Sequence, residues 1–324
     1  MKRLLNPWWA ILTVLLMTFV RYEDGFFVET ARLKSFDYTI AQSPKVESQS
    51  IVLLDIGEQA LKDKGQWPWK RDEVAKIVNR LWVNGAGIIT LNLLFAEEDR
   101  LGGDETFAKV ISDKLVLGTQ VASTKALDTK GKEASVAIVG GDPDDILNWI
   151  PEYQGMVSNI DSINNNLAGV GVVSTMPEID GVTRRIPMLT RVGKEMYPSL
   201  ALETLRVYAE DDLYQAKIGE SGVIAVRVPN YDTIYTDTYS RVWINWANEF
   251  THYELTEELD YSVFADKIVI VGLTAEGLAS SVATGVGTVG NHELQAHLLQ
   301  SIIDGVTPVR PDFADFGELI TTFL

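Results

Sequence analysis

Apolar residues run unbroken over two strand-length stretches of this chain, Ile51-Val-Leu-Leu-Asp55-Ile56 and Ala86-Gly-Ile-Ile-Thr-Leu-Asn-Leu-Leu-Phe95. Between them Val74, Ile77, Val78, Leu81 and Trp82 recur at i, i+3, i+4, i+7 and i+8, one face of an α-helix. Asp72 is placed to cap that helix and Asn84-Gly85 to stop it. Strand, helix, strand reads as a βαβ unit with a parallel pair. The helix is launched by Gly65-Gln-Trp67-Pro68-Trp69-Lys-Arg71. Pro68 fixes its own φ and pushes Trp67 into extended backbone, so the segment is a stiff elbow with two indoles close together. The tryptophans are either core anchors or an aromatic wall beside Arg71, facing a ligand or a second subunit.

The same patterns extend along the chain. Helices are expected around Phe26–Phe36, over Glu105–Ser112, after Tyr197-Pro198-Ser199 with Ser199 as N-cap, and over Asn291–Ile303. Strands are expected at Leu115–Val121, Gly169–Ser174, Val223–Val228, Ser240–Trp246 and Lys267–Gly272, with a hairpin turn at Asp180-Gly181. The fold this predicts is α/β: a mixed, mainly parallel sheet with helices on both faces, including strands 51–56, 86–93, 115–121 and 267–272. Ligands of such sheets bind beyond the strands' carboxyl ends. That puts Asp55, the Trp67-Pro-Trp69 elbow, Asn92 and the Gly272 loop near one rim.

The chain ends carry a different signal. Lys2 and Arg3 precede an apolar stretch from Leu4 to Val20, about the minimum for a membrane span. No small-x-small cleavage site comes after it, so an uncleaved N-terminal transmembrane helix is preferred to a signal peptide. The basic residues orient it so that the chain beyond Val20 lies outside the cytoplasm. Residues 313–324 close in Leu-Ile-Thr-Thr-Phe-Leu, the entry to a second apolar segment. The expected division is an anchor at 1–21, a periplasmic domain at 22–310 and the start of a second membrane segment at 311–324.

Charge and composition narrow the chemistry. The 324 residues carry a formal charge of −17, which argues against nucleic acid and against an anionic lipid surface. There is no cysteine, hence no disulfide, thiolate metal site or thiol nucleophile. Gly285-Val-Gly287-Thr-Val-Gly290 matches a dinucleotide fingerprint literally, but residues 273–284 separate it from the preceding strand. An anion at the start of the 291–303 helix is the weaker form of that idea. His292 and His297 stand at i, i+5, about 140° apart around a helix, so they do not form the two-histidine zinc motif. His297, beside Leu294 and Leu298, reads as a packed core histidine. No nucleophile elbow or P-loop is present, and the Gly140–Asp145 acids read as a solvated turn. Asp180, Arg184 and Arg185 form the best polar cluster, either an internal salt bridge or a guanidinium site for carboxylate or phosphate.

The order of these motifs resembles the CHASE type 2 domain, an extracellular sensory domain of bacterial receptors. The matching pieces are Ile51–Ile56, Gly65–Arg71, Gly85-Ala-Gly with Phe95, Asp180-Gly-Val-Thr-Arg-Arg-Ile-Pro, Tyr197-Pro-Ser-Leu-Ala-Leu-Glu203, Lys267–Gly272 with Gly277-Leu278, and Glu293-Leu-Gln-Ala-His297. The chain departs from the family at Asn92, where aspartate is usual, and at Ser280-Ser281, where an Asp…Thr-Pro stretch is usual. The resemblance implies a periplasmic sensor at the bacterial inner membrane, held by terminal helices. It also implies a homodimer and a separate cytoplasmic output module, most often a class III adenylate/guanylate cyclase, sometimes a histidine or Ser/Thr kinase. A periplasmic α/β hydrolase is the competing class. On the sensor reading the segment is not an enzyme, has no catalytic residue, metal or cofactor, and answers an unidentified small molecule or stress. Its ligand-binding candidates are Asp55, Trp67, Trp69, Arg71, Asp180, Arg184, Arg185 and Tyr197.

Overall fold

The computed structural model describes residues 7–23, 25–122, 131–308 and 313–323. At its centre Asn248–Glu254, Val46–Ile56, Ile268–Leu273, Ile88–Leu91 and Leu115–Ala122 lie side by side in that order, each parallel to the next. Gly169–Val172 pairs in parallel with one half of the 115–122 strand, and Gly155–Val157 pairs antiparallel with the other, completing a seven-stranded sheet. The mixed, mainly parallel sheet read from the sequence is the observed one.

Strand alternation explains why the sequence runs are unbroken. Ile51 and Leu53 face one side, while Val52, Leu54 and Ile56 face the other. The first side packs under the helices Leu200–Tyr208 and Asn291–Ile303 through Leu200, Leu205, Leu294 and Leu298. The second packs under Arg71–Val83 through Val74, Ile77, Val78 and Leu81. A sheet covered on both faces has no solvent side to mark with polar residues. Each fully buried aliphatic side chain contributes about 1.5–3 kcal/mol.

Several local expectations change. The 71–83 helix takes Lys70, not Asp72, at its N-cap position, and Asp72 sits in the first turn, where a carboxylate favours the positive end of the helix dipole. Ser199 does cap the 200–208 helix, accepting from the Leu202 N–H. Gly181 has φ +79°, its N–H donates to the Glu178 carbonyl and the Glu178 N–H donates to the Val182 carbonyl, so the turn closes at Asp180-Gly181 but the two arms pair no further. Arg185–Pro187 pairs instead with Arg241–Trp243. The glycine-rich 285–290 stretch belongs to a hairpin, Ser281–Thr284 against Gly287–Gly290. Val136–Val139, Tyr214–Gly219, Gly222–Arg227 and Thr233–Tyr235 build a second, four-stranded sheet, of which the sequence pattern marks only the third strand.

At the chain ends, helix Pro7–Glu23 packs beside Ala314–Phe323. Trp8, Trp9, Leu12, Leu15, Leu16 and Phe19 are exposed on it. Among the described residues no helix is long and apolar enough to cross a membrane. Lys2 and Arg3, on which the orientation argument rests, lie outside the described residues.

Candidate functional site

The carboxyl ends of the parallel strands set the site. Asp55 lies in register with Gly272 on one side and with Glu254 on the other, with Asn92 just past the 88–91 strand. Pairing and alternation turn Asp55, His252 and Glu254 to the face that carries Leu53, where the 291–303 helix packs. His292, the second residue of that helix, reaches back to the strand end. Its Nε2 stands 2.9 Å from Asp55 Oδ1, and His252 Nδ1 stands 2.8 Å from Asp55 Oδ2. One carboxylate thus bridges two imidazoles from two different elements.

Two glycines make the arrangement possible. A Cβ on Gly272 would fall 2.2 Å from His292 Cγ, and one on Gly290 would fall 2.7 Å from His292 Cε1. The His292 ring therefore occupies the space that side chains at 272 and 290 would fill. Its side chain is 2% exposed, that of Asp55 15% and that of His252 42%, so the cluster has a closed wall and an open one. Burial on its own would raise the Asp55 carboxyl, but hydrogen bonds to His252 and His292, helped by their charges, hold it down at about 2. The hydrogen bond to Asp55, opposed by burial, raises the His252 imidazole above its usual value.

Asn92 Nδ2 donates to Asn291 Oδ1 at 3.0 Å, and the Asn291 N–H donates to the Ser280 carbonyl at 2.8 Å. The departures from the family pattern at Asn92 and Ser280 therefore meet on Asn291, the neighbour of His292. His297 is buried between Trp246 and Phe250, with ring centroids 4.7 and 4.9 Å away.

The other sequence candidates lie in separate places. Trp67 and Trp69 pack edge to face at 5.3 Å, and Trp69 is buried in the core beneath the 71–83 helix, on the sheet face opposite Asp55. Arg71 stacks over Phe95 at 4.0 Å and donates to the Glu97 carbonyl, while its N–H donates to Asp99. Arg184 is fully buried; it donates to both oxygens of Asp37 at 2.7 Å and to both of Asp180 at 2.9 Å. Arg185 is held by Glu178 and Asp237 and lies 4.7 Å from the Trp243 ring. Both guanidinium groups are thus paired internally, and an external anion would have to displace a carboxylate. Tyr197 is buried against Met156 and Val172, with its hydroxyl donating to Glu195; burial and that carboxylate raise its pKa. Among the described residues no hydrogen bond or ion pair joins these groups to Asp55.

Of the residues that the sequence placed at this rim, Asp55, Asn92 and Gly272 lie there and the Trp67–Trp69 elbow does not, while His252 and His292 were not among its candidates. His252 lies in a strand, Asn248–Glu254, that the sequence pattern does not mark. His292 had a usable signal: it opens the helix that packs over the strand already ending in Gly272.

A parallel α/β domain whose polar side chains gather beyond the strand ends, with an apolar helix at each end of the chain, has the layout of a binding module. This chain belongs to the CHASE2 domain family, whose sequence model matches residues 10–324. Domains of this family are extracellular and sensory, without catalysis of their own. Comparison with curated proteins and with solved structures gave no match.

Proposed function

We propose that this chain is the extracytoplasmic input domain of a bacterial inner-membrane receptor that controls a cytoplasmic adenylate/guanylate cyclase. Membership of a sensory family over residues 10–324 is the observation that carries this reading. On it, residues 1–21 anchor the chain, 22–310 face the periplasm and 311–324 begin the return to the membrane. The exposed apolar side chains of the 7–23 helix and its packing against 314–323 favour that division, since both belong next to lipid. A class III cyclase builds its active site across a dimer, so the receptor works as a homodimer.

A reporter active only in the periplasm, fused at Gly141, tests the topology. Gly141 lies in an exposed turn just before the 3₁₀ turn Pro143–Asn148, the kind of site that tolerates insertion, although its backbone lies against Ile218. The periplasmic reporter should be active there. Activity of a cytoplasm-only reporter at Gly141 would overturn the receptor reading.

A further inference from the structure

We propose that Asp55, His252 and His292 form a binding site for a divalent transition-metal ion of the Zn²⁺ type. The site stands on geometry alone; its place as the ligand that the domain senses rests on the receptor reading above.

The donor set comes first. One carboxylate and two imidazoles each offer a ligand atom, and these atoms lie within 4.8 Å of one another. Two histidines and a carboxylate suit a borderline cation such as Zn²⁺ or Fe²⁺. They do not suit Ca²⁺ or Mg²⁺, which take six or more oxygens, or one or two carboxylates with water. Donors bonded at about 2.0–2.2 Å around a tetrahedral ion sit roughly 3.4 Å apart. The 2.8 and 2.9 Å separations run to different Asp55 oxygens, and the three donor atoms lie within 4.8 Å of one another, so drawing them to the tetrahedral spacing takes a shift of about an ångström. His252, the most exposed of the three, has the freedom to make that adjustment.

The scaffold comes second. The ligands come from three elements, the 46–56 and 248–254 strands and the 291–303 helix, at the rim where sheets of this kind bind ligands. Gly272 and Gly290 clear the space that the His292 ring needs, so that ring is held against backbone on its closed side. The open side, at His252, leaves positions for water or an exogenous ligand, as in sites with three protein ligands. Glu293 comes directly after His292 along the helix and faces His297 at 3.9 Å. With a net charge of −17, the chain also draws cations towards it at low salt.

The test uses the whole 324-residue chain, untagged, in detergent and stripped with a chelator. Isothermal titration with Zn²⁺ should show one saturable site per chain, and Co²⁺ should develop visible absorption in the same stoichiometry. His252→Ala removes an exposed side chain and should fold as the wild type does. Asp55→Asn keeps the shape and removes the charge. Each should weaken Zn²⁺ by at least the roughly ten- to hundredfold that the loss of an outer-shell partner costs. Should Asp55→Asn fail to fold, His252→Ala carries the comparison. Equal amounts of Mg²⁺ or Ca²⁺ should not displace Co²⁺. No saturable Zn²⁺ binding, binding unchanged in folded His252→Ala, or displacement by Mg²⁺ would each overturn the site. Loss of the metal site would leave the Gly141 topology result untouched, and a cytoplasmic Gly141 would leave Zn²⁺ binding untouched.

Discussion

Gly272 shows how much of the rim depends on a single missing atom. It occupies the strand position beside Asp55, and the Cβ of any other residue would drive into His292 next to that ring's own attachment. The collision is with Cβ and Cγ, not with the tip of a flexible chain, so the helix start would have to move. Gly272→Ala should lower stability by about 1–3 kcal/mol, the usual cost of overpacking. It should also separate His292 from Asp55, read as a changed His292 imidazole resonance while the His252 imidazole stays raised by its hydrogen bond to Asp55. An unchanged His292 signal would mean that the ring has room to spare. Asp55 was legible in the sequence because a carboxylate at the end of an apolar strand is conspicuous. The partnership with His252 and His292 was not: residues 55, 252 and 292 meet only through the crossing order of the sheet, which no local pattern encodes.

At the scale of elements, local patterns were enough for the long ones. The 51–56 and 267–272 runs are buried on both faces, so composition alone marks them. The 71–83 helix shows its stripe, and the 291–303 helix has the bounds expected of it. The second sheet escaped because its 136–139 and 233–235 strands are too short to carry a period. The fastening of the 26–41 helix also escaped, since Asp37 and Arg184 are far apart in sequence. Arg184 joins that helix to the turn at Asp180, and its guanidinium holds the Asp180 carboxyl below the ordinary carboxylate range. A lowered folded value means that the stabilisation is complete above about pH 4 and is lost as pH falls through that value. Asp180→Asn should therefore unfold at lower temperature than wild type at pH 7. The gap between their thermal midpoints should shrink as the pH is lowered below about 4. A gap constant down to roughly pH 2.5 would show that ionisation of Asp180 contributes nothing to the fastening.

For the whole molecule, the question is how a rim event could reach the chain's apolar ends. One route is direct: the 291–303 helix starts at the rim with His292 and precedes Ala314–Phe323 in the chain, with residues 309–312 of the connection lying outside the described ones. The other is the 26–41 helix, which continues from Pro7–Glu23 after a short break at Gly25 and is gripped by Arg184. The two routes meet again where the 7–23 and 314–323 helices pack together. A ligand shifts such an assembly only if it binds two arrangements of it unequally. Asp37→Asn separates the routes. It keeps the side chain's shape, leaves Arg184 with Asp180, and touches no rim residue. Loss of a charged hydrogen bond should cost about 1.5–3 kcal/mol while the domain stays folded. Zn²⁺ affinity at the rim should stay within about twofold of wild type, because sites without shared partners are close to additive. On the cyclase-receptor reading proposed above, the change in cyclic-nucleotide output on adding Zn²⁺ should fall. The absence of cysteine allows a structural readout of the same coupling. Spin labels at Leu16→Cys and Ile320→Cys should report a Zn²⁺-dependent change in distance in the wild-type background, and a smaller one with Asp37→Asn. If both output and distance respond to Zn²⁺ as fully in Asp37→Asn as in wild type, the Arg184 grip is structural only, and the signal runs through the 291–303 helix alone.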